Sequence, residues 1–199
     1  MPRKVDQEGT IKRREQILKA AGKCFAAKGF HQSSMADICK EAGLSPGTVY
    51  HYFRSKDEMV LHFAQRELEQ AQEYAEVLKN VGSVEELVDF TISAILDPEE
   101  HGELQFYLEL LTEGGRNRDV GKALLQADEV VYYALKKHLK RLEAHGNGAS
   151  KSSLAYYVGM QIVALEIFKL EDPSAKECRE VSMLFKKGLL SVLTGEKDN

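Results

Sequence analysis

From Ile17 to Leu193 the apolar residues recur at spacings of three and four, and no stretch alternates apolar with polar for the length of a strand. That period restricts the chain to helices packed on helices. Arg13 to Lys28 reads as a helix with Ile17, Leu18, Ala21, Cys24 and Phe25 inward, stopped by Gly29. Ser34 caps a second, short helix with Met35, Ile38, Cys39 and Ala42 inward, and Gly43 supplies the left-handed residue that ends it. Ser45 caps a third, with Pro46 at its first position and Val49 and Phe53 inward, and Ser55 caps a fourth.

The body continues in the same period. A long helix is expected from Lys56 to about Asn80, and Ser83 with Glu86 forms a capping box for another that reaches Leu96. Asp97-Pro98 breaks the chain. Helices follow from about Glu103 to Thr112, ending at Gly114-Gly115, and from about Asp119 to Ala144. Ser152 to Leu170 is apolar on more than one face and is expected to be buried almost all round. The last helix carries Val181, Leu184, Phe185, Leu189, Leu190 and Leu193 before a polar tail.

Two short helices joined by a glycine turn, the second opened by Ser-Pro, have the sequence form of a helix-turn-helix, whose second helix enters the major groove of DNA. Charge agrees. Residues 1–56 hold eleven Lys and Arg against five Asp and Glu, a net of +6, which leaves −10 for the remainder of a chain whose formal total is −4. A basic module on an acidic body directs a polyanion to one end. Residues 1–56 are therefore read as a DNA-binding domain preceded by a basic arm of about seven residues with Arg3 and Lys4, and residues 57–199 as a helical body.

The run Gly43-Leu-Ser-Pro-Gly-Thr-Val-Tyr-His-Tyr-Phe-Arg-Ser-Lys56 resembles the TetR/AcrR family of bacterial repressors. The likeness extends upstream through Ala20-Ala21, Phe25, Gly29-Phe30, Ser34, Asp37-Ile38 and Ala42, about the first third of the chain. It implies an all-α protomer of about nine helices: a three-helix DNA-binding domain and a larger body that binds an effector and dimerises through its last two helices. It also implies a palindromic duplex operator as partner. By position, Ser45, Pro46 and Gly47 look like the base-approaching start of the recognition helix, and Thr48, Tyr50, His51 and Tyr52 like groove and phosphate contacts. Lys56, and Ser33 with Ser34, look like phosphate contacts from the starts of two other helices. Hydroxyls and a lysine at helix N-termini suit phosphate oxygens on physical grounds too, while Phe53 is better read as core. Ala36 stands where many members carry a long polar residue, so base readout is expected to lean on Ser45, Gly47, thymine methyls and DNA shape.

Other chemistries find little purchase. The six histidines lack metal-ligand spacing, and Cys24, Cys39 and Cys178 lie far apart inside apolar patterns, so no metal or other cofactor is expected and the thiols are read as reduced. No nucleophile, phosphate-loop or paired-acid motif marks an enzyme. No apolar run is long enough to span a bilayer and the N-terminus lacks a signal-peptide pattern, from which a cytoplasmic protein without membrane contact is expected. Phe90, Phe106, Tyr107, Tyr132, Tyr133, Tyr156 and Met160 are candidates to line an effector cavity, and plain core packing explains each equally well.

The function expected is a repressor released from its operator by a small molecule. The alternative is a DNA-binding regulator controlled by a protein partner or by the redox state of Cys39 or Cys178, without a pocket. The last two helices carry more apolar surface than one protomer core can hide, with Ala155, Gly159 and Ala164 small enough for close helix approach, which argues for a homodimer.

Overall fold

The computed structural model describes residues 7–96, 103–169, 171 and 173–195. Those residues form nine α-helices and no strand: α1 (Gln7–Lys28), α2 (Met35–Ala42), α3 (Pro46–Tyr52), α4 (Lys56–Leu78), α5 (Val84–Leu96), α6 (Glu103–Gly114), α7 (Arg118–Arg141), α8 (Lys151–Lys169) and α9 (Ala175–Thr194). The all-helical reading holds. The basic arm up to residue 6, the Asp97-Pro98 break and the polar tail after Gly195 lie outside the described residues.

Caps fix where helices begin. Ser34 accepts from the Asp37 N–H while the Asp37 carboxylate accepts from the Ser34 N–H at 3.0 Å, a reciprocal capping box. Ser45 accepts from the Thr48 N–H at 3.2 Å, and Pro46 fills the first helical position, where a missing N–H costs nothing. Ser55 and Ser83 accept from the N–H groups of Glu58 and Glu86. Glu86 completes its end one residue early, taking the N–H of Gly82 at 2.7 Å. Helix α2 ends at Gly43, whose φ of +65° is the left-handed conformation a glycine adopts without a Cβ clash.

Helix α1 starts six residues before the expected Arg13, because its first turns are polar and carry no apolar period. A Glu8–Lys12 pair at 2.7 Å, four residues apart, supports them. Helix α9 opens on a capping box of Ser174 and Glu177.

The chain packs as two compact units. The first comprises Met1–Arg66 with Gln105–Leu124, and the second Glu67–Leu104 with Leu125–Asn199. Helix α6 thus joins the same core as α1 to α3. That core is built on Ile17, Phe25, Ile38, Val49, Phe53, Met59 and Leu110, and its aromatic centre stacks Phe25 on Phe106 at 6.2 Å with Phe63 edge-on to Phe106 at 4.5 Å. In the second unit α5 packs on α8 and α9 around Leu87, Leu135, Leu139, Leu154, Val158, Leu189 and Leu193.

Burial of α8 corrects one expectation. Its Leu154, Ala155, Val158 and Leu165 are buried, but Tyr156, Met160, Val163 and Ile167 are 62, 63, 48 and 49% exposed. Those four recur at spacings of four, three and four and so form one stripe. Met183 and Leu184 of α9 are exposed as well.

Candidate nucleic-acid interface

Helix α3 buries only Val49, with Phe53 just beyond its end, and turns Ser45, Pro46, Gly47, Tyr50 and His51 to solvent. Thr48 is half-buried and its hydroxyl lies 2.9 Å from that of Ser45, so the two form one polar patch at the helix start. Tyr52 is half-buried against the core, edge-on to the His51 ring at 5.1 Å. No Cβ-sized obstacle lies within 4 Å of Gly47, leaving its backbone open to close approach. Among the exposed residues from Ser45 to Arg54 there is no acid.

Side chains of α1 hold this helix in place. Arg14 lies 4.4 Å from the centre of the Phe53 ring and donates to the Tyr52 carbonyl at 3.4 Å, closing the end of α3. Gln16 donates to the Ala42 carbonyl at 2.8 Å and closes the end of α2. Neither residue figured among the sequence candidates, since a contact across 26 or 38 residues leaves no periodic signal.

The expected phosphate contacts divide. Ser34 is exposed at the start of α2, where unsatisfied N–H groups and the helix dipole favour an anion. Its partner Asp37 adds a negative charge at that end, and the hydrogen bond from Lys28 at 2.8 Å, then those from Ser34, hold the carboxyl well below the usual range. Ser33 is 2% exposed, and its hydroxyl donates to the carbonyls of Cys24 and Gly29 at 2.9 and 2.8 Å. It faces the core rather than solvent. Lys56 directs its ammonium to the carbonyls of Phe30 and Ser33, at 2.7 and 2.5 Å.

The expected effector set divides between the two units. Phe106 belongs to the aromatic centre of the first unit, and Tyr107 lies beside it on the same helix. Phe90 stacks on Tyr74 at 5.5 Å, and Tyr132 on Tyr156 at 4.5 Å, both in the second unit. Tyr133, Tyr156 and Met160 are exposed. A cleft of about 460 Å³ lies among Gly82, Arg141, His145 and Thr194 and contains none of the seven. Among the described residues, buried side-chain atoms that make no hydrogen bond include His138 Nε2 in the second unit and Glu113 Oε2 in the first, while Tyr74 Oη of the second unit lies buried against Thr91. Among the described residues no group of three potential ligands could hold a metal ion, and no helix is long and apolar enough to cross a membrane.

Two capped helices in a tight turn, the second with an open hydroxyl-rich face free of acids, define a helix-turn-helix of the DNA-binding class. The model of the bacterial regulatory proteins of the tetR family matches residues 17–63, which take in this helix-turn-helix module. The HTH-type transcriptional regulator UidR of Escherichia coli K12 is 35% identical over 112 residues, 56% of this chain and 56% of UidR. The chain thus spans about half the length of the curated relatives it matches. Salmonella enterica GusR shares the fold over 92% of this chain and 95% of its own, at 27% identity and a TM-score of 0.67. FadR of Bacillus subtilis, solved with stearoyl-CoA, covers 92% of this chain and 99% of its own at 20% identity and a TM-score of 0.66.

Proposed function

We propose that the protein is a homodimeric repressor of transcription whose hold on a palindromic operator is released by a small molecule. The observation that carries the reading is the open face of α3, from which Ser45, Pro46, Gly47, Thr48, Tyr50 and His51 would meet the major groove, with Tyr52 half-buried beside them and Ser34 toward the backbone. Residues 1–56 read DNA and residues 57–199 sense and dimerise in this account, although packing places Gln105–Leu124 with the former. Dimerisation is supported by the apolar stripe Tyr156, Met160, Val163 and Ile167 on α8 with Met183 and Leu184 on α9. A two-fold axis through it would set two recognition helices about one turn of DNA apart, roughly 34–36 Å.

Control by a small molecule is supported by the fold neighbour that holds stearoyl-CoA and by a buried ring nitrogen of the second unit, His138 Nε2, that has no hydrogen-bond partner. His138 is 4% exposed, and its other ring nitrogen, Nδ1, lies 3.0 Å from the Arg141 guanidinium. An unpaired atom such as Nε2 costs stability unless something bonds it, and a ligand is one candidate. Redox control is poorly supported, because Cys24 and Cys39 are buried and Cys178 is half-buried, with burial pushing the Cys24 thiol up in pKa. The regulator works in the cytoplasm on this reading. The test is selection of duplexes from a random library by the whole protein, followed by a screen for compounds that release the selected duplex. Enrichment of an inverted repeat supports the reading, and no enrichment refutes it.

A further inference from the structure

The loop Gly29–Ser33, which leads into α2, is gripped along both edges of its backbone. Lys56, the first residue of α4, donates from Nζ to the carbonyls of Phe30 at 2.7 Å, Ser33 at 2.5 Å and His31 at 3.4 Å. The same ammonium lies 4.5 Å from the centre of the Phe30 ring. From α6, Glu109 Oε2 accepts the Phe30 N–H at 3.2 Å, and its carboxylate rests against Gly29, whose φ is +77°. One turn further on, Glu113 is 7% exposed, with Oε2 at 3.4 Å from His31 Nε2, and that nitrogen lies 2.6 Å from the Arg116 guanidinium.

A lysine ammonium has three N–H donors, and three carbonyls with an aromatic face occupy its directions here. A phosphate oxygen would have to displace one of them. We propose that Lys56 and Glu109 are positioning residues for DNA recognition: they clamp the Gly29–Ser33 loop, so fixing the start of α2, and Lys56 makes no phosphate contact of its own. The proposal rests on the DNA-binding reading above. It follows that Glu109, an acid, helps binding to a polyanion. Removing a negative charge near DNA should by field alone leave binding equal or tighter, so the sign of its effect separates clamp from field.

The experiment uses the whole protein and the duplex it selects. Dissociation constants of wild type, Lys56→Gln and Glu109→Ala are measured from 50 to 200 mM salt, referred to active protein by stoichiometric titration, alongside thermal unfolding. Both variants are expected to bind roughly tenfold more weakly, with the log-log salt slope unchanged from wild type. Should Glu109→Ala fail to fold, Glu109→Gln is read the same way with a smaller loss. A slope about 0.9 shallower in Lys56→Gln, with Glu109→Ala equal or tighter, would make Lys56 a phosphate contact and overturn the proposal. Lower melting temperatures with wild-type affinity per active protomer would overturn it too, leaving only a structural role. A wild-type protein that selects no duplex fails the DNA-binding reading itself, a result distinct from either.

Discussion

Helices α3 and α8 each leave one face uncovered, and the chemistry of the two faces differs. The open face of α3 is short and polar, built on Ser45, Gly47, Thr48 and His51 with the Tyr50 ring among them, and it sits over a core closed by Phe25, Phe53 and Leu110. That of α8 is apolar over three turns, Tyr156 to Ile167, and the residues behind it complete only one side of the helix. Water solvates the first at little cost and the second at roughly 25 cal/mol for each Å² of apolar area. A face of the first kind can wait for a polyanion. One of the second kind calls for a permanent apolar partner, and a second copy of the chain presents the same stripe.

Substitutions that exchange the properties of these regions sharpen the contrast. Phe25→Ala should cost the most, about 3–5 kcal/mol in urea unfolding, because Phe25 is fully buried among Phe30, Phe63 and Phe106. A cost below about 1 kcal/mol would mean that the first unit is not a closed core. Met160→Glu with Ile167→Glu should leave the helical content intact yet convert dimer to monomer in sedimentation, with operator affinity down roughly a hundredfold or more. An unaltered dimer would place the two-fold contact elsewhere.

Ser45→Ala should lower stability by about 1 kcal/mol through loss of the α3 cap and weaken DNA binding further, since the hydroxyl also lies in the proposed groove face. Smallest is the effect of Asp37→Asn. The Asp37 carboxyl is depressed in the folded state, chiefly by Lys28 and then by Ser34, so its contribution is present above the ordinary carboxylate pKa of about 4 and fades as pH falls below it. Melting temperatures of wild type and variant should therefore differ at pH 7 and converge in acid. A gap independent of pH would assign the effect to shape rather than charge.

What the sequence made legible was local. Caps at Ser34, Ser45 and Ser83 act within three or four residues, and each was readable from residue type and spacing. The Ser174–Glu177 box carries the same local signal, a serine followed three residues on by a glutamate. By contrast, the clamp on Gly29–Ser33 joins residues up to 79 positions apart, and no spacing rule reaches that far. The identity of Lys56 was plain, but whether its ammonium meets a phosphate or a carbonyl depends on the tertiary fold. Apolar content likewise marks α8 as apolar on several faces without saying which of them the chain itself buries, and a list of aromatic residues could not separate Phe106, at the centre of the first unit, from Tyr156 on the surface of the second.

The central claim is that two copies of this chain, joined through α8 and α9, present two α3 helices to one duplex. Stoichiometric titration of the selected duplex, with sedimentation of the complex, tests it most directly. The account predicts two protomers per duplex bearing an inverted repeat, its half-sites centred about one helical turn apart or a multiple of it. A single protomer bound to one half-site with the same affinity, or binding that ignores sequence, would contradict it.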